Sequence, residues 1–344
     1  MTNRALKQIA VWQDVDQQTF RQEIQPIGEP AVLKGAVKHW SLVQDNVKQS
    51  SQQLIDTLQL SYIGGDVQCA TLDCKSHNGR FFYNSAFNGF NFSRSIKSFD
   101  RFATELLNFT CESEHALAIQ TAKIAEYFPA LVPDITLPFF EQESQARFWL
   151  GNRSTVAAHF DDADNIACVV HGKRRFTLFP PEQIDNLYIG PLNFTPAGAP
   201  ISLVDVNEPD LTRYPKFLHA LDHALVAELS PGDAIYIPSL WWHNVEALSD
   251  VNLLVNFWQG GAINNTHQAT PMDSLLFALT TIKSLPAPQR KAWQAFFNYY
   301  IFEDHIDHHQ HIPEHVRGVL GHLTPEHIHQ VSKWLISQLN KNIQ

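Results

Sequence analysis

The period of apolar positions changes along this chain, and the changes mark its organisation. Residues 15–27 and 50–60 carry apolar residues at helical spacing and predict short amphipathic helices. Between them, "EPAVLKGAVKHW" (29–40) predicts a short strand followed by a glycine turn. "SFDRFATELLNF" (98–109) returns to the 3.6-residue period, with Ser98 as its N-cap. From about 115 to 258 the apolar runs become short, rich in Val, Ile, Phe and Trp, and punctuated by Pro and Gly, the pattern of a β sandwich or barrel. Strands are predicted at 146–150, 165–170, 174–179, 233–237 and 251–257, the fourth fed by the Pro-Gly turn of "SPGDAIYIP". Beyond "NFWQGG" the helical period returns at 273–285, 288–303, 312–322 and 325–340. The last of these starts with Thr324 as N-cap, Pro325 at the first helical position and His327 at the third. The fold class is therefore mainly β with flanking helices, divided into residues 1–262 and a helical segment at 263–344. No internal repeat or low-complexity linker interrupts it.

Composition narrows the function classes. The 344 residues are enough to bury a substantial core as one large domain or two. A net charge of −10 argues against a general polyanion-binding surface, and so against nucleic acid as a partner. No apolar run is long enough to span a membrane, and "MTNRALKQIAVWQDVDQQ" has no apolar signal-peptide core; a cytoplasmic location is expected. The four cysteines (Cys69, Cys74, Cys111 and Cys168) lack paired CxxC spacing. They read as reduced thiols, with a Cys69–Cys74 redox pair or half metal site as the alternative.

Candidate chemistry concentrates in "STVAAHFDDADNIACVVHGKRRFTLFPP" (154–181), where charged residues interrupt an apolar, strand-like stretch. Unpaired charge is expensive to desolvate, so something must compensate for it there. In a strand, residues i and i+2 project from one face, which places the imidazole of His159 beside the carboxylate of Asp161. Together with a second histidine they would form the 2-His-1-carboxylate set of non-haem Fe(II) oxygenases. His243 in "IPSLWWHNVEAL" is the best candidate for that third ligand. Within "RRFTLF", Arg174, Phe176 and Leu178 share one face, and an inward Arg174 could clamp a carboxylate with paired hydrogen bonds. Lys173 and Arg175 read as solvated charges. "VNLLVNFW" splits into an apolar face (Val251, Leu253, Val255, Phe257) and a face carrying Asn252, Leu254, Asn256 and Trp258. Asn256 and Trp258 are candidates to line a pocket, and an outward Asn252 is the alternative at that position.

These motifs resemble the JmjC-related, cupin-like Fe(II)/2-oxoglutarate dioxygenases, in particular the group similar to the asparaginyl hydroxylase factor inhibiting HIF. "HFDDADNIACVVHGKRRFTLFPPEQ", "LSPGDAIYIPSLWWHNVEAL" and "VNFWQG" carry the resemblance, which covers roughly residues 25–260. It implies a double-stranded β-helix (jelly roll) with flanking helices, iron bound by His159, Asp161 and His243, and 2-oxoglutarate as co-substrate. It also implies co-substrate contacts from Arg174, where the family usually has Lys, and from Asn165, Asn256, Trp258 and Thr155. Two departures stand out. Val156 occupies the place of a co-substrate-binding Thr, and Ala118 that of a Tyr. The resemblance further implies a protein, peptide or small-molecule substrate and a homodimer formed through the C-terminal helices, where Ile328, Val331 and Leu335 form an apolar stripe. Phe82, Tyr83, Asn88 and Phe90 would lie near the mouth of the site, with plain packing as the alternative. The His-rich stretch 303–315, including His305, His308 and His309, reads as something other than a specific metal site. Two rival readings stay open: a binding module that keeps the jelly roll without catalysis, and a cupin enzyme that does not use 2-oxoglutarate.

Overall fold

The computed structural model describes residues 6–46, 50–73, 79–108, 115–140, 145–196, 198–260, 270–303 and 309–341. The chain divides into two compact units, Met1–Gln268 and Ala269–Gln344. The first contains the strands β1 (Lys7–Gln8), β2 (Ala10–Gln13), β3 (Ala31–Lys34), β4 (Asp66–Asp73), β5 (Arg80–Phe81), β6 (Phe92–Ser98), β7 (His115–Lys123), β8 (Arg147–Gly151), β9 (Ser154–His159), β10 (Asp164–His171), β11 (Arg174–Phe179), β12 (Leu225–Leu229), β13 (Ala234–Ile237), β14 (Trp242–Ala247) and β15 (Asn252–Gln259).

They form two sheets, ordered β1-β12-β11-β14-β9-β5 and β2-β3-β13-β10-β15-β8-β7-β4-β6. Strands β8 to β15 are the heart of the fold. Successive pairs cross between sheets, so that β9-β14-β11-β12 faces β8-β15-β10-β13, with antiparallel pairing within each set. This is the jelly-roll arrangement, and it explains the short, evenly spaced apolar runs. The remaining strands extend the sheet edges, three of them through parallel pairs.

Strand parity sorts the core. The Val251, Leu253, Val255 and Phe257 side of the last strand packs outward against the helical lead, with Phe20, Leu54, Phe102 and Phe148. Phe176, Leu178, Val245 and Leu254 pack between the sheets. Helix 51–61 is fixed by Ser50, whose side chain accepts from the Gln53 backbone in a capping box. Ser98 Oγ accepts from the Arg101 N–H at the start of the helix Phe99–Asn108. The tight turn between β10 and β11 depends on Gly172. Its φ is +74°, and an added Cβ would sit 2.5 Å from Asn252 Oδ1 and 2.6 Å from the Val251 carbonyl oxygen. Asn252 is thus buried rather than outward-facing, and its side chain bonds the backbone N–H and carbonyl of Ser249.

The structure differs from the sequence reading in three places. Sheet strands appear well before residue 115: β1 pairs with the core strand β12 and β3 with β13, β2 lies beside β3, and β4 with the polar, largely exposed β6 prolongs one sheet edge. The helical stretch around 15–27 is only partly α: it passes into a π turn at Phe20–Ile24 and a 3-10 turn at Gln25–Ile27, which contains Pro26. Residues 312–322 form no α-helix but two 3-10 turns, Glu314–Val316 and Gly318–Leu320, in a stretch broken by Pro313, Gly318 and Gly321.

The second unit contains helices Pro271–Thr281, Ala287–Phe297 and Pro325–Asn340. Thr324 caps the last through the His327 N–H. His305 and His308 lie outside the described residues. Among the described residues no helix is long and apolar enough to cross a membrane. Cys69 and Cys168 are buried and unpaired, whereas Cys74 and Cys111 lie outside the described residues.

Candidate metal centre and its cavity

His159 closes β9, and Asp161 follows in the loop before β10; the pair therefore aims together from a strand end, not from within a strand. His243 lies opposite, at the start of β14 in direct register with His159. The loop bearing Asp161 is tied to the segment preceding β14 by a hydrogen bond from the Leu240 N–H to the Asp161 carbonyl, 2.8 Å. One ligand atom from each of His159, Asp161 and His243 lies within 4.8 Å of the others. The two imidazole centroids are 4.2 Å apart, and His243 Nε2 is 3.7 Å from Asp161 Oδ2.

The backbone sets the tautomers. His159 Nδ1 donates to the Ala157 carbonyl (2.9 Å) and His243 Nδ1 to the Trp241 carbonyl (3.0 Å). A carbonyl only accepts, so Nδ1 carries the proton and the Nε2 lone pairs are left for a metal. Burial, reinforced by the neighbouring His159, pulls His243 from 6.5 to about 4, so it is neutral at pH 7, as a ligand must be. Burial alone would raise Asp161. The two imidazoles and hydrogen bonds from Trp258 and Asn165 outweigh it and hold the carboxyl below its ordinary range.

A polar relay aims Asp161. Trp258 Nε1 and Asn165 Nδ2 each donate to its Oδ2 at 3.0 Å, and Asn256 Nδ2 donates to Asn165 Oδ1 at 2.9 Å. The three residues meet because Asn165 pairs with Trp258, and Asn256 follows on the same face of β15.

A cavity of about 300 Å³ runs from this centre between the sheets. Asn165, Asn256, Trp258 and Arg174 all line it. Arg174 is buried, and among the described residues its side chain has neither a hydrogen-bond acceptor nor a carboxylate partner; burial pulls it down to about 10. Arg175 points the other way, to Glu228 and Glu246.

Thr155 is corrected. An irregularity in the β9–β14 register brings Val156 to the cavity wall, while Thr155 lies opposite Glu246 and does not line the cavity. Ala118 packs with Ala70, Leu72 and Phe81, also away from it. Phe82, Tyr83 and Phe90 pack ring against ring with Phe87 and Phe194, Asn88 bonds Asn84, and none of the four mouth candidates lines the cavity.

Five lining residues escaped sequence reasoning: Thr121, Arg147, Trp149, Ile237 and Val245. The alternation of Arg147 and Trp149 with Phe148 and Leu150 was a usable signal, since a lone Arg in an apolar strand needs an inward or outward reason. Nothing in the sequence marks Thr121, which adopts φ +58° at a register shift in β7.

Comparison with known proteins agrees with this geometry. Residues 17–260 match the family described as a cupin-like domain. The tRNA wybutosine-synthesizing protein 5 of Danio rerio is 28% identical over 264 residues, 70% of this chain and 72% of that protein. The lysine-specific demethylase JMJ31 of Arabidopsis thaliana is 32% identical over 129 residues, 36% of this chain and 23% of that protein. The HSPB1-associated protein 1 of Homo sapiens is 31% identical over 153 residues, 43% of this chain and 30% of that protein. The chain thus spans most of the first relative and less than a third of the other two.

Proposed function

The chain belongs to the cupin-like domain family, and on that premise we propose that it is an Fe(II)- and 2-oxoglutarate-dependent oxygenase that hydroxylates a protein or peptide side chain or a small molecule. The observation that carries this reading is one cavity joining two His and one Asp within ligand distance to a buried, unpartnered Arg174. His159, Asp161 and His243 would hold the metal, and three protein ligands leave positions for a chelating co-substrate and O2. When bound, iron with 2-oxoglutarate supplies the oxidative chemistry, coupling co-substrate decarboxylation to oxidation of a C–H bond.

The protein's part is positioning. The Ala157 and Trp241 carbonyls orient the imidazoles, and the Asn256–Asn165–Asp161–Trp258 relay fixes the carboxylate. Arg174 supplies the countercharge for the distal carboxylate of 2-oxoglutarate. Asn165 and Asn256 face the volume nearest the metal, and Asn256 Oδ1 still lacks a partner there. Phe176, Val156, Val245 and Leu254 make the walls apolar and exclude water. No protein general base is assigned.

The substrate class follows the relatives only loosely. The names of two point to a lysine-bearing protein and to tRNA; the net charge of −10 favours the protein or small-molecule class, with tRNA as the class to test against it. The likeness to an asparaginyl hydroxylase rests on the motifs alone. A homodimer through the C-terminal helices is part of the same proposal, since that unit leaves Trp293, Phe296, Phe302, Trp334 and Ile336 exposed. Sedimentation of the full chain tests it. For the chemistry, succinate formation from 2-oxoglutarate under O2, abolished by His159→Ala, is the supporting result. Bound iron without any succinate would favour the binding module.

A further inference from the structure

Trp149 presents an unexplained donor. Its indole N–H is buried and has no acceptor among the described residues, although the ring lines the cavity. Buried N–H groups are almost always paired, so an orphan donor beside a cavity points to an acceptor that arrives with the occupant.

The sheet register says where along the cavity that acceptor belongs. On the nine-stranded sheet the metal level is marked by Trp258, which bonds Asp161. Two inward steps along β15 lead through Asn256 to Leu254, and Leu254 pairs with Trp149. On the six-stranded sheet the metal level is His243, opposite Leu178. Two inward steps lead through Val245 to Ala247, and Ala247 pairs with Arg174. Each step advances roughly 6.5 Å, so the two residues enter at the same depth from opposite walls. Arg174 Nε is the second orphan donor of the cavity. Between that level and the metal, the β9 wall is Val156, which has no donor to offer.

We propose that Trp149 is a co-substrate-binding residue: its indole N–H and the Arg174 guanidinium together hold the distal carboxylate of 2-oxoglutarate. The assignment rests on the reading of the site as a 2-oxoglutarate oxygenase. It explains how a pocket walled by Val156 still supplies a neutral donor beside the cation.

The test is equilibrium binding to the full-length, Fe(II)-loaded protein without O2, read by the visible charge-transfer band of the iron–2-oxo-acid chelate. Trp149→Phe keeps an aromatic ring, smaller by the pyrrole, and removes the N–H; the comparison with pyruvate controls for the lost volume. The Kd for 2-oxoglutarate should rise about 10- to 100-fold, the loss expected for a hydrogen bond to a charged group. Pyruvate, a 2-oxo acid with no distal carboxylate, should bind wild type and Trp149→Phe equally. Unchanged 2-oxoglutarate affinity in the variant overturns the assignment. Equal weakening of both ligands also overturns it, because the ring would then matter only for packing. A wild-type protein that binds iron but gives no band with either ligand removes the oxygenase reading itself, and that result is visible before any variant is made.

Discussion

Replacing Arg174 by methionine should make the ligand-free protein more stable while disabling its proposed co-substrate pocket. Arg174 is 7% exposed, and its guanidinium finds no carboxylate among the described residues. Burial lowers its pKa from 12.5 to about 10. Both values lie well above 7, so the group is charged in the folded and unfolded chain alike, and the folded state carries the whole charging penalty at neutral pH. At about 1.4 kcal/mol for each tenfold loss of proton affinity, the drop corresponds to about 3 kcal/mol. Methionine retains an unbranched apolar stem; the space left by the guanidinium offsets about 1 kcal/mol of the gain. A net stabilisation of about 1–3 kcal/mol is expected, the pattern of a binding group held at a cost to stability. Urea unfolding of the metal-free proteins measures it by linear extrapolation. Adding Fe(II) and 2-oxoglutarate anaerobically should then stabilise wild type far more than Arg174→Met, since ligand binding to the native state raises its stability by mass action. A ligand-free Arg174→Met that is less stable than wild type by about 1 kcal/mol or more would refute the reasoning, because the guanidinium would then have a compensating partner in the empty cavity.

Three further outcomes follow from the same geometry. Trp258→Phe removes one of the two donors to Asp161 Oδ2 and should weaken Zn(II) or Co(II) binding about 10- to 100-fold in chelator competition, with an unchanged circular dichroism spectrum. Gly172→Ala forces a Cβ onto Asn252 and the Val251 carbonyl at φ +74° and should destabilise by about 2 kcal/mol or more in denaturant titration. The metal-free protein should lose about 3 kcal/mol on acidification, because burial lowers His243 from 6.5 to about 4. The folded state binds that proton more weakly than the unfolded state, so the penalty is absent above pH 6.5, grows as pH falls, and is complete below about pH 4. Unfolding midpoints across that window should fall more steeply for wild type than for His243→Asn.

Much of the site was legible in the sequence because its residues sit on strands whose two-residue period is strict. The parity of "RRFTLF" separated Arg174 from Arg175, and that of "VNLLVNFW" separated Asn256 and Trp258 from the packed face. Parity failed where the ladder is irregular. The register shift in β9 turned Val156 rather than Thr155 inward, and the shift in β7 placed Thr121 at the cavity. The polar edge strand β6 buries little on either face, and β4 beside it buries only one; both gain their backbone partners from the sheet they extend, so neither stands out in the apolar pattern. Sequence parity leaves Asn252 open between the pocket-side face and an outward position; in the structure its amide is consumed by the Ser249 turn. The stretch 312–322 has apolar spacing suited to a helix, but Pro313 and two glycines outweigh it.

The central claim is that one cavity binds iron at His159, Asp161 and His243 and a 2-oxo dicarboxylate against Arg174. Titrating 2-oxoglutarate into anaerobic, Fe(II)-loaded protein tests it most directly, with His159→Ala and Arg174→Ala measured alongside. The account predicts a saturable visible charge-transfer band in wild type, absent in His159→Ala and formed with weaker affinity in Arg174→Ala. Stoichiometrically bound iron with no band at any 2-oxoglutarate concentration would contradict it.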